Sequence, residues 1–237
     1  MAKNIKASKI LSLDIGGSHI KATILNSLGE LQMDYEKIVT PVKATPDSLL
    51  AAIKILVKDF PPFDKISAGF PGYVKDGVTK TAPNLNSPAW KDIDLAKILQ
   101  DALGKPAKVV NDADMQGLGV VSGKGLEMAI TLGTGFGTAL LLDGILLPHI
   151  ELAHHPFTKT KTYDEYVGEK ALEKVGAVAW NKRIKKVLIV LKTVFNYDHL
   201  FISGGNTAHL NFKPDKNITI DGNIDGIKGC AKLWQVK

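Results

Sequence analysis

Two short glycine-rich segments of the sequence carry residue types that can bind phosphate. The first is Asp14-Ile-Gly-Gly-Ser18 and the second is Leu132-Gly-Thr-Gly-Phe-Gly137. Glycine lets backbone N–H groups approach an anion because no Cβ intervenes, and a serine hydroxyl adds a donor. Asp14 follows an apolar run, where its carboxylate could hold Mg²⁺ through water. Either loop alone also fits an ordinary hairpin turn, but together they predict two halves that face one phosphate chain.

A pair of carboxylates follows another apolar run, in the segment Asn111-Asp-Ala-Asp114. Phosphoryl transfer to an alcohol needs a base beside the attacking hydroxyl, and Asp112, directly after a buried strand, could be that base. The same residue could instead cap the helix that follows, as aspartate often does. The residues alone leave both interpretations open, and Asp114 is the better candidate for the cap.

The elements that must position these residues alternate between strands and helices, which predicts the α/β class. In the first half we expect strands at Ile10–Leu13, Ile20–Leu25, Glu30–Val39, Lys65–Phe70 and Lys108–Val110. Helices are predicted from Thr45, with Pro46 at the first position, to the pair at 61–62, then over Asp94–Leu103 before Gly104, and over Met115–Val121.

The second half repeats the strand meander of the first, which indicates a divergent duplication. Its predicted strands are Met128–Leu132, Thr138–Leu142, Ile145–Leu147, Asp198–Ser203 and Asn217–Ile220, and its predicted helices are Tyr163–Val175, Ala177–Phe195 and Gly226–Leu233. We therefore expect two domains, residues 1–113 and 114–237, with the last helix packing back on the first domain.

Composition limits the classes of protein that the chain can belong to. The 237 residues are 45% hydrophobic and 23% charged, as in globular proteins, and they carry a net charge of +6, which favours an anionic partner. A single cysteine, Cys230, excludes an intrachain disulfide and a cysteine zinc cluster, and it fits the cytoplasm. No signal peptide and no membrane span are expected, and hence no membrane partner.

Taken in chain order, these motifs resemble the ROK family of sugar kinases, over most of the chain. The resemblance rests on the two glycine loops, Asn111–Asp114, and four further segments: Gly69-Phe-Pro-Gly72, Ala82-Pro-Asn84, Glu151-Leu-Ala-His154 and Ile202-Ser-Gly-Gly205. It implies an actin-like ATPase (ribonuclease H-like) fold, with two similar α/β halves and a cleft between them. It also implies a glucokinase that transfers phosphate from polyphosphate or ATP to the 6-hydroxyl of glucose, with Asp112 as the general base.

The same resemblance implies roles for individual residues. The expected sugar-binding residues are Asn84, Asn111, Asp112, Glu151, His154 and Glu165. The expected phosphate- or nucleotide-binding residues are Asp14, Gly16, Gly17, Ser18, Lys21, Gly133, Thr134, Gly135, Gly137, Gly204 and Gly205. Several have a plainer alternative: Glu165 could lie on a solvated helix face, Lys21 could simply be exposed, and Gly204 and Gly205 could merely end a strand. Glu151 and His154 could be a metal pair, but no third ligand follows at the usual spacing.

The sequence departs from the family pattern at identifiable places. Ala153 replaces the usual glycine of the Glu-x-Gly-His motif, and His19 stands where a smaller residue is more common. The segment Pro156–Tyr163 contains no cysteine, so we expect no structural zinc. Absence of zinc and short length make the chain most like the polyphosphate glucokinase branch. The implied cofactor is Mg²⁺, the implied assembly is a homodimer, and no nucleic-acid partner is expected.

The basic run Asn181-Lys-Arg-Ile-Lys-Lys186 lies on a predicted helix and is either a solvated face or a track for polyphosphate. The sequence does not choose between glucose and another hexose, such as mannose or an N-acetylated sugar, as the substrate of a ROK kinase. Two other classes of function also stay open. A non-catalytic sugar sensor on the same fold would not need two phosphate loops. A Rossmann nucleotide-binding enzyme would need a glycine motif between a strand and a helix, whereas Gly133–Gly137 lies between two predicted strands.

Overall fold

A computed structural model describes residues 8–83, 85, 87–221 and 226–235. The strands are β1 Ile10–Ile15, β2 His19–Leu25, β3 Glu36–Val39, β4 Lys65–Phe70, β5 Val74–Lys75, β6 Val78–Thr79, β7 Ile93–Asp94, β8 Ala107–Asn111, β9 Leu126–Leu132, β10 Phe136–Leu142, β11 Ile145–Leu146, β12 His199–Ser203 and β13 Ile218–Ile220. The helices are α1 Pro46–Leu56, α2 Leu95–Leu103, α3 Asp112–Val120, α4 Tyr163–Val167, α5 Glu169–Phe195 and α6 Gly229–Lys232. The chain divides into two compact units, Met1–Met115 with Gly226–Lys237, and Gln116–Asp225.

The first unit is built on a five-stranded sheet in the order β3-β2-β1-β4-β8. Strand β1 is antiparallel to β2 and parallel to β4, and β4 is parallel to β8. Alternate residues of β1 serve two faces: Leu11, Leu13 and Ile15 join the larger apolar core, while Ser12 donates a 3.0 Å hydrogen bond to the Ile227 carbonyl. Both faces of this central strand are therefore covered, as its apolar run requires.

Local signals in the sequence determine where the first two helices begin and end. Thr45 is the N-cap of α1, with its side chain accepting from the Ser48 N–H, and Pro46 occupies the first position. Asp94 caps α2 by accepting from the Lys97 N–H, and Gly104 ends that helix at φ 67°. The Thr45 cap, the position of Pro46 and the stop at Gly104 are confirmed, since each depends only on neighbours within one turn. Asp94, predicted as the first residue of its helix, is instead the cap, and α1 ends at Leu56, before the predicted stop at residues 61–62.

Residues 226–235 pack on the same sheet of the first unit. The Ser67 hydroxyl donates to the Cys230 carbonyl at 2.9 Å, and the Trp234 indole N–H donates to the Ser67 hydroxyl at 2.8 Å. The ammonium groups of Lys65 and Lys108 lie 4.8 and 4.9 Å from the centre of the Trp234 ring. The end of the chain thus contributes a buried polar network and an aromatic contact to the first unit.

The second unit repeats the pattern with the strand order β11-β10-β9-β12-β13. Strand β9 is antiparallel to β10 and parallel to β12, as β1 is to β2 and β4. Helix α5 covers this sheet with buried apolar residues, among them Trp180, Ile184, Val187 and Leu191. The predicted α/β class and the predicted meander in each half are confirmed.

A buried carboxylate, Glu127 at the start of β9, anchors the preceding turn. It accepts hydrogen bonds from the backbone of Ser122, Gly123 and Lys124, at 2.7–3.2 Å, and from the Ser122 hydroxyl at 2.7 Å. Burial alone would raise the pKa of this carboxyl, but the four hydrogen bonds outweigh burial and leave the pKa below its usual value. Glu127 was not among the residues predicted from the sequence to have a role.

Among the predicted elements whose bounds differ from the structure, the third strand and the two helices predicted over 163–195 differ in the way that matters most for the fold. The predicted third strand is shortened to Glu36–Val39, with a single bridge between Leu25 and Leu31 before it. The predicted helix over Tyr163–Val175 ends at Val167, because Gly168 is extended at ψ 175° and starts a new helix. That helix α5 runs to Phe195 across one non-helical residue, Gly176, at φ 73°.

Candidate active site

The first glycine loop connects β1 to β2 and is held from one side by Thr40. The Thr40 hydroxyl donates to the Gly16 carbonyl at 2.7 Å, and the Thr40 N–H donates to the Ser18 carbonyl at 2.9 Å. A Cβ on Gly16 would stand 2.9 Å from the His19 carbonyl, so the tight turn itself requires glycine there. Gly17, Ser18 and His19 are exposed, which leaves the tip of the loop accessible.

Asp14 and Lys21 are paired across this hairpin, with their charged atoms 3.9 Å apart. The Asp14 carboxylate is partly exposed, at 30% of its side-chain surface. One accessible carboxylate is the kind of ligand that a hydrated Mg²⁺ uses when phosphates supply its other contacts. Asp14 therefore fits a water-mediated magnesium ion, and in the described part of the chain no group of three or more His, Cys, Asp or Glu side chains could hold a metal alone.

Asp112 is the first residue of α3, directly after β8. The cap of this helix is Asn111, whose side-chain oxygen accepts from the N–H groups of Ala113 at 2.8 Å and Asp114 at 3.3 Å. The prediction that Asp114 is the better cap is therefore wrong, since Asp114 lies inside the first turn. Asp112 also accepts from the Ala113 N–H at 2.8 Å, and its carboxylate lies at the carboxyl end of a parallel strand.

The side chain of Asn111 is nearly fully buried and has a second partner. Its amide group donates to the Gly72 carbonyl at 3.0 Å, which ties the start of α3 to the Gly69–Gly72 segment. A Cβ on Gly72 would stand 2.1 Å from the Thr81 carbonyl, so this segment requires close backbone approach. Asn84, expected to bind sugar, lies outside the described residues.

The second glycine loop connects β9 to β10. Its first glycine, Gly133, has an ordinary φ, and no described atom lies within 4 Å of the place where its Cβ would stand. Gly135 is different, because a Cβ there would stand 2.6 Å from a carboxylate oxygen of Asp164. Thr134 at the tip is exposed, and Gly137 already lies in β10. Gly133 thus faces open space, whereas a side chain at position 135 would have to displace the Asp164 carboxylate.

The two glycines after β12 also differ in whether there is room for a side chain. Gly204 has φ 98°, and its Cβ would stand 2.4 Å from the Leu132 carbonyl, so the approach of two strand ends explains it. Gly205 has an ordinary φ, and nothing in the described chain lies within 4 Å of its Cβ position. Packing therefore explains why residue 204 is glycine, whereas neither packing nor backbone conformation explains why residue 205 is glycine.

Glu151 lies between two histidines. One carboxylate oxygen is 2.9 Å from the Nε2 of His149, and the other is 3.5 Å from the Nε2 of His154. The hydrogen bond to His149 is the largest influence on Glu151 and, with the charges of both histidines, holds the pKa of its carboxyl below the usual value, although burial opposes this. His149 was not among the residues predicted from the sequence, although its His-x-Glu spacing was an available signal. His155 is exposed and contacts Tyr163 at its ring.

Glu165 has a structural partner in the first turn of α4. Its carboxylate accepts from the Thr162 N–H at 2.9 Å, and the Thr162 side chain accepts from the Glu165 N–H, which completes a capping box. Glu165 is exposed on α4, as the alternative of a solvated helix face predicts, and the capping box adds a structural role that was not predicted. It leaves the second carboxylate oxygen of Glu165 outside the box.

The basic residues of the run at 181–186 on α5 differ in how far they are buried. Arg183 is half-buried, donates to the Tyr166 carbonyl at 3.1 Å and lies 4.8 Å from the centre of the Tyr166 ring. Lys182, Lys185 and Lys186 are exposed. Arg183 therefore belongs to the packing of α4 on α5. No helix in the described ranges is long and apolar enough to cross a membrane.

Comparison with known proteins shows the family to which this chain is similar. The model of the ROK family matches residues 10–149. The polyphosphate glucokinase of Mycobacterium tuberculosis (strain CDC 1551 / Oshkosh) is 32% identical over 214 residues, which are 86% of this chain and 78% of that protein.

The chain is also similar to solved structures of sugar kinases. The inorganic polyphosphate/ATP-glucomannokinase from Arthrobacter sp. strain KM superposes with a TM-score of 0.81 at 28% identity, over 97% of this chain and 100% of that one. The ROK family glucokinase from Streptomyces griseus, solved with glucose and AMPPNP, is 19% identical with a TM-score of 0.76, over 95% and 98%. These likenesses confirm the predicted actin-like ATPase fold. The chain belongs to the ROK family.

Proposed function

We propose that this protein is a glucokinase that transfers a phosphoryl group from polyphosphate or ATP to the 6-hydroxyl of glucose. The relative from M. tuberculosis is named for polyphosphate and glucose, and the Arthrobacter structure for polyphosphate, ATP and a glucomannokinase activity. The observation that carries the proposal is the place of Asp112, whose carboxylate stands at the end of β8 while Asn111 caps α3.

Asp112 is the proposed general base. A neighbouring residue supplies the helix cap, so the cap does not depend on the Asp112 carboxylate. The N-terminus of α3 favours a negative charge at this position. As the sugar oxygen attacks the terminal phosphorus, its proton passes to a carboxylate oxygen of Asp112 while the donor oxygen leaves with the electron pair of the broken P–O bond.

The sugar is proposed to be held by residues of complementary hydrogen-bonding type. Glu151 accepts from sugar hydroxyls as a carboxylate, and its low pKa keeps it ionised at neutral pH. His154, exposed beside it, can donate or accept. Asn111 retains one amide hydrogen beyond its bond to Gly72, while Asn84 and the second oxygen of Glu165 complete the proposed set.

The two glycine loops are proposed to bind the donor phosphates. In the first loop the proposed phosphate-binding residues are Gly16, Gly17, Ser18 and Lys21. In the second loop they are Gly133, Thr134, Gly135 and Gly137. Two further glycines, Gly204 and Gly205, are proposed to lie beside the nucleotide when ATP is the donor. Gly133 and Gly205 support this, because neither conformation nor packing explains why they lack a side chain. When bound, Mg²⁺ would neutralise charge on the transferred phosphate, and Asp14 would hold it through water.

A coupled assay of the purified protein tests the proposal by crossing glucose, mannose and N-acetylated hexoses with ATP and polyphosphate. We expect glucose 6-phosphate from glucose with at least one donor. A sugar that raises the melting temperature without any product would favour a non-catalytic sensor and overturn the kinase proposal. A homodimer and a cytoplasmic location remain predictions, which light scattering and fractionation would test.

A further inference from the structure

The carbonyl groups of the second glycine loop are held from behind by the rest of the second unit. The Glu169 N–H, at the start of α5, lies 3.2 Å from the Gly133 carbonyl and 3.3 Å from the Thr134 carbonyl. The Asn206 side-chain amide donates to the Gly133 carbonyl at 2.9 Å. Two successive carbonyls therefore point toward α5 and the segment after β12.

This arrangement fixes the direction of the next two N–H groups. Every described peptide bond is trans, so the N–H of each peptide unit points opposite to its own C=O. The N–H groups of Thr134 and Gly135 thus point away from α5. Among the described residues neither group donates a hydrogen bond, although the neighbouring Gly133 N–H bonds to the Gly135 carbonyl at 3.2 Å. Two backbone donors are presented together on the open side of the loop.

Asp164 on α4 secures the far end of the same loop. Its Oδ1 accepts from the Phe136 N–H at 2.6 Å, and its backbone carbonyl accepts from the Gly168 N–H at 2.8 Å, where α4 gives way to α5. A Cβ on Gly135 would stand 2.6 Å from the same oxygen. One residue therefore joins the end of the loop to the helix junction that holds its carbonyls.

A carboxylate repels phosphate, so Asp164 has no favourable charge interaction with a donor. We infer that Asp164 is a positioning residue, which fixes the Thr134 and Gly135 N–H groups in the orientation that binds the donor phosphate. The inference rests on the proposed function, since it assumes that this loop binds phosphate. It adds a residue that no glycine motif contains and that acts through the backbone of the loop.

Two substitutions at this position distinguish positioning from charge. Asp164→Asn keeps an oxygen acceptor for the Phe136 N–H and removes the charge, whereas Asp164→Ala removes the acceptor. We expect Asp164→Ala to raise the KM for the donor at least 10-fold, with the KM for the sugar unchanged, and Asp164→Asn to stay within about 3-fold of the wild type. Should the alanine variant fail to fold, Asp164→Glu replaces it, because the longer side chain displaces the acceptor.

Asp198→Ala is the matched control. Asp198 accepts from the Leu126 N–H at 2.7 Å, at the opposite end of β9, so its loss removes the same type of bond from the same sheet. We expect a comparable fall in melting temperature for Asp198→Ala and no change in the KM for the donor. An equal rise in that KM would show that Asp164 matters only for stability.

A readout without turnover separates this inference from the proposed function. Calorimetry with inorganic tripolyphosphate should give a Kd at least 10-fold weaker for Asp164→Ala than for the wild type and Asp164→Asn, whether or not the protein phosphorylates a sugar. An unchanged Kd in Asp164→Ala, or an equal loss in both variants, would overturn the inference alone. No binding of tripolyphosphate by the wild type would overturn the inference and the assignment of this loop together.

Discussion

Replacing Gly133 by alanine separates a glycine kept for a ligand from one kept for the fold. Gly133 has an ordinary φ, and its Cβ would meet no described atom within 4 Å. Alanine in such a position reduces the freedom of the unfolded chain and stabilises a protein by about 0.4–1 kcal/mol. For a chain of this size we expect Gly133→Ala to raise the melting temperature by roughly 1–4 °C.

The effect on donor binding should have the opposite sign. The added methyl group would stand where we propose that the phosphate approaches the loop, and it would displace at least one charged hydrogen bond. Such a bond contributes about 1.5–3 kcal/mol, so kcat/KM for the donor should fall by roughly 10- to 150-fold. The sugar KM should not change, because this loop is not among the proposed sugar contacts.

Steady-state kinetics with each donor, together with thermal melts, checks both signs at once. Gly135→Ala is the comparison, since its Cβ would stand 2.6 Å from Asp164 and should lower stability by about 1–3 kcal/mol as well as activity. A Gly133→Ala variant with unchanged donor kinetics would refute the reasoning that the open side of this loop receives phosphate.

Three further expectations concern stability and the donor. Glu127→Gln should lower the free energy of unfolding by about 2 kcal/mol at pH 7. Because the pKa of the Glu127 carboxyl is lowered in the folded protein, its stabilising contribution is present above the usual pKa of 4.5 and is lost as the pH falls below that value. The melting temperatures of the variant and the wild type should therefore converge in acid. Trp234→Ala should destabilise the protein by about 2–3 kcal/mol in urea melts, and Trp234→Phe by less, since phenylalanine keeps a ring between the two lysines. Reversing the charges of Lys182, Lys185 and Lys186 tests whether the basic run is a solvated face or a track for polyphosphate: a track predicts a lower kcat/KM for polyphosphate, with reduced salt dependence and no effect on ATP, whereas equal use of polyphosphate by this variant would leave the solvated face.

Much of the fold could be predicted because its signals are local. The bounds of β4 at Lys65–Phe70 were predicted as the structure has them, since an apolar run with polar neighbours specifies a buried strand. The signals at the start of α1 and the end of α2 act within one turn of the helix, so the roles of Thr45 and Gly104 could be predicted without knowledge of distant residues.

The remainder depends on contacts between distant segments, which periodicity does not show. The Asp164 carboxylate meets an N–H 28 residues earlier in the chain, and the Asn206 amide meets a carbonyl 73 residues earlier. The cap of α3 is Asn111 and neither Asp112 nor Asp114, the two candidates from the sequence, because the geometry at the end of β8 brings Asn111 onto Gly72. Similarly, the break at Gly168 coincides with its contact with the second glycine loop, where its Cβ position lies 3.1 Å from the Thr134 carbonyl.

Asp112→Asn tests the proposal that Asp112 removes the proton from the sugar hydroxyl. Asparagine keeps the shape and an acceptor for the Ala113 N–H, so α3 and the affinity for glucose, measured by calorimetry, should be retained. We expect kcat to fall by about 10²- to 10⁴-fold while the Kd for glucose stays within a few-fold of the wild-type value. A variant that binds glucose normally and keeps the wild-type kcat would contradict it.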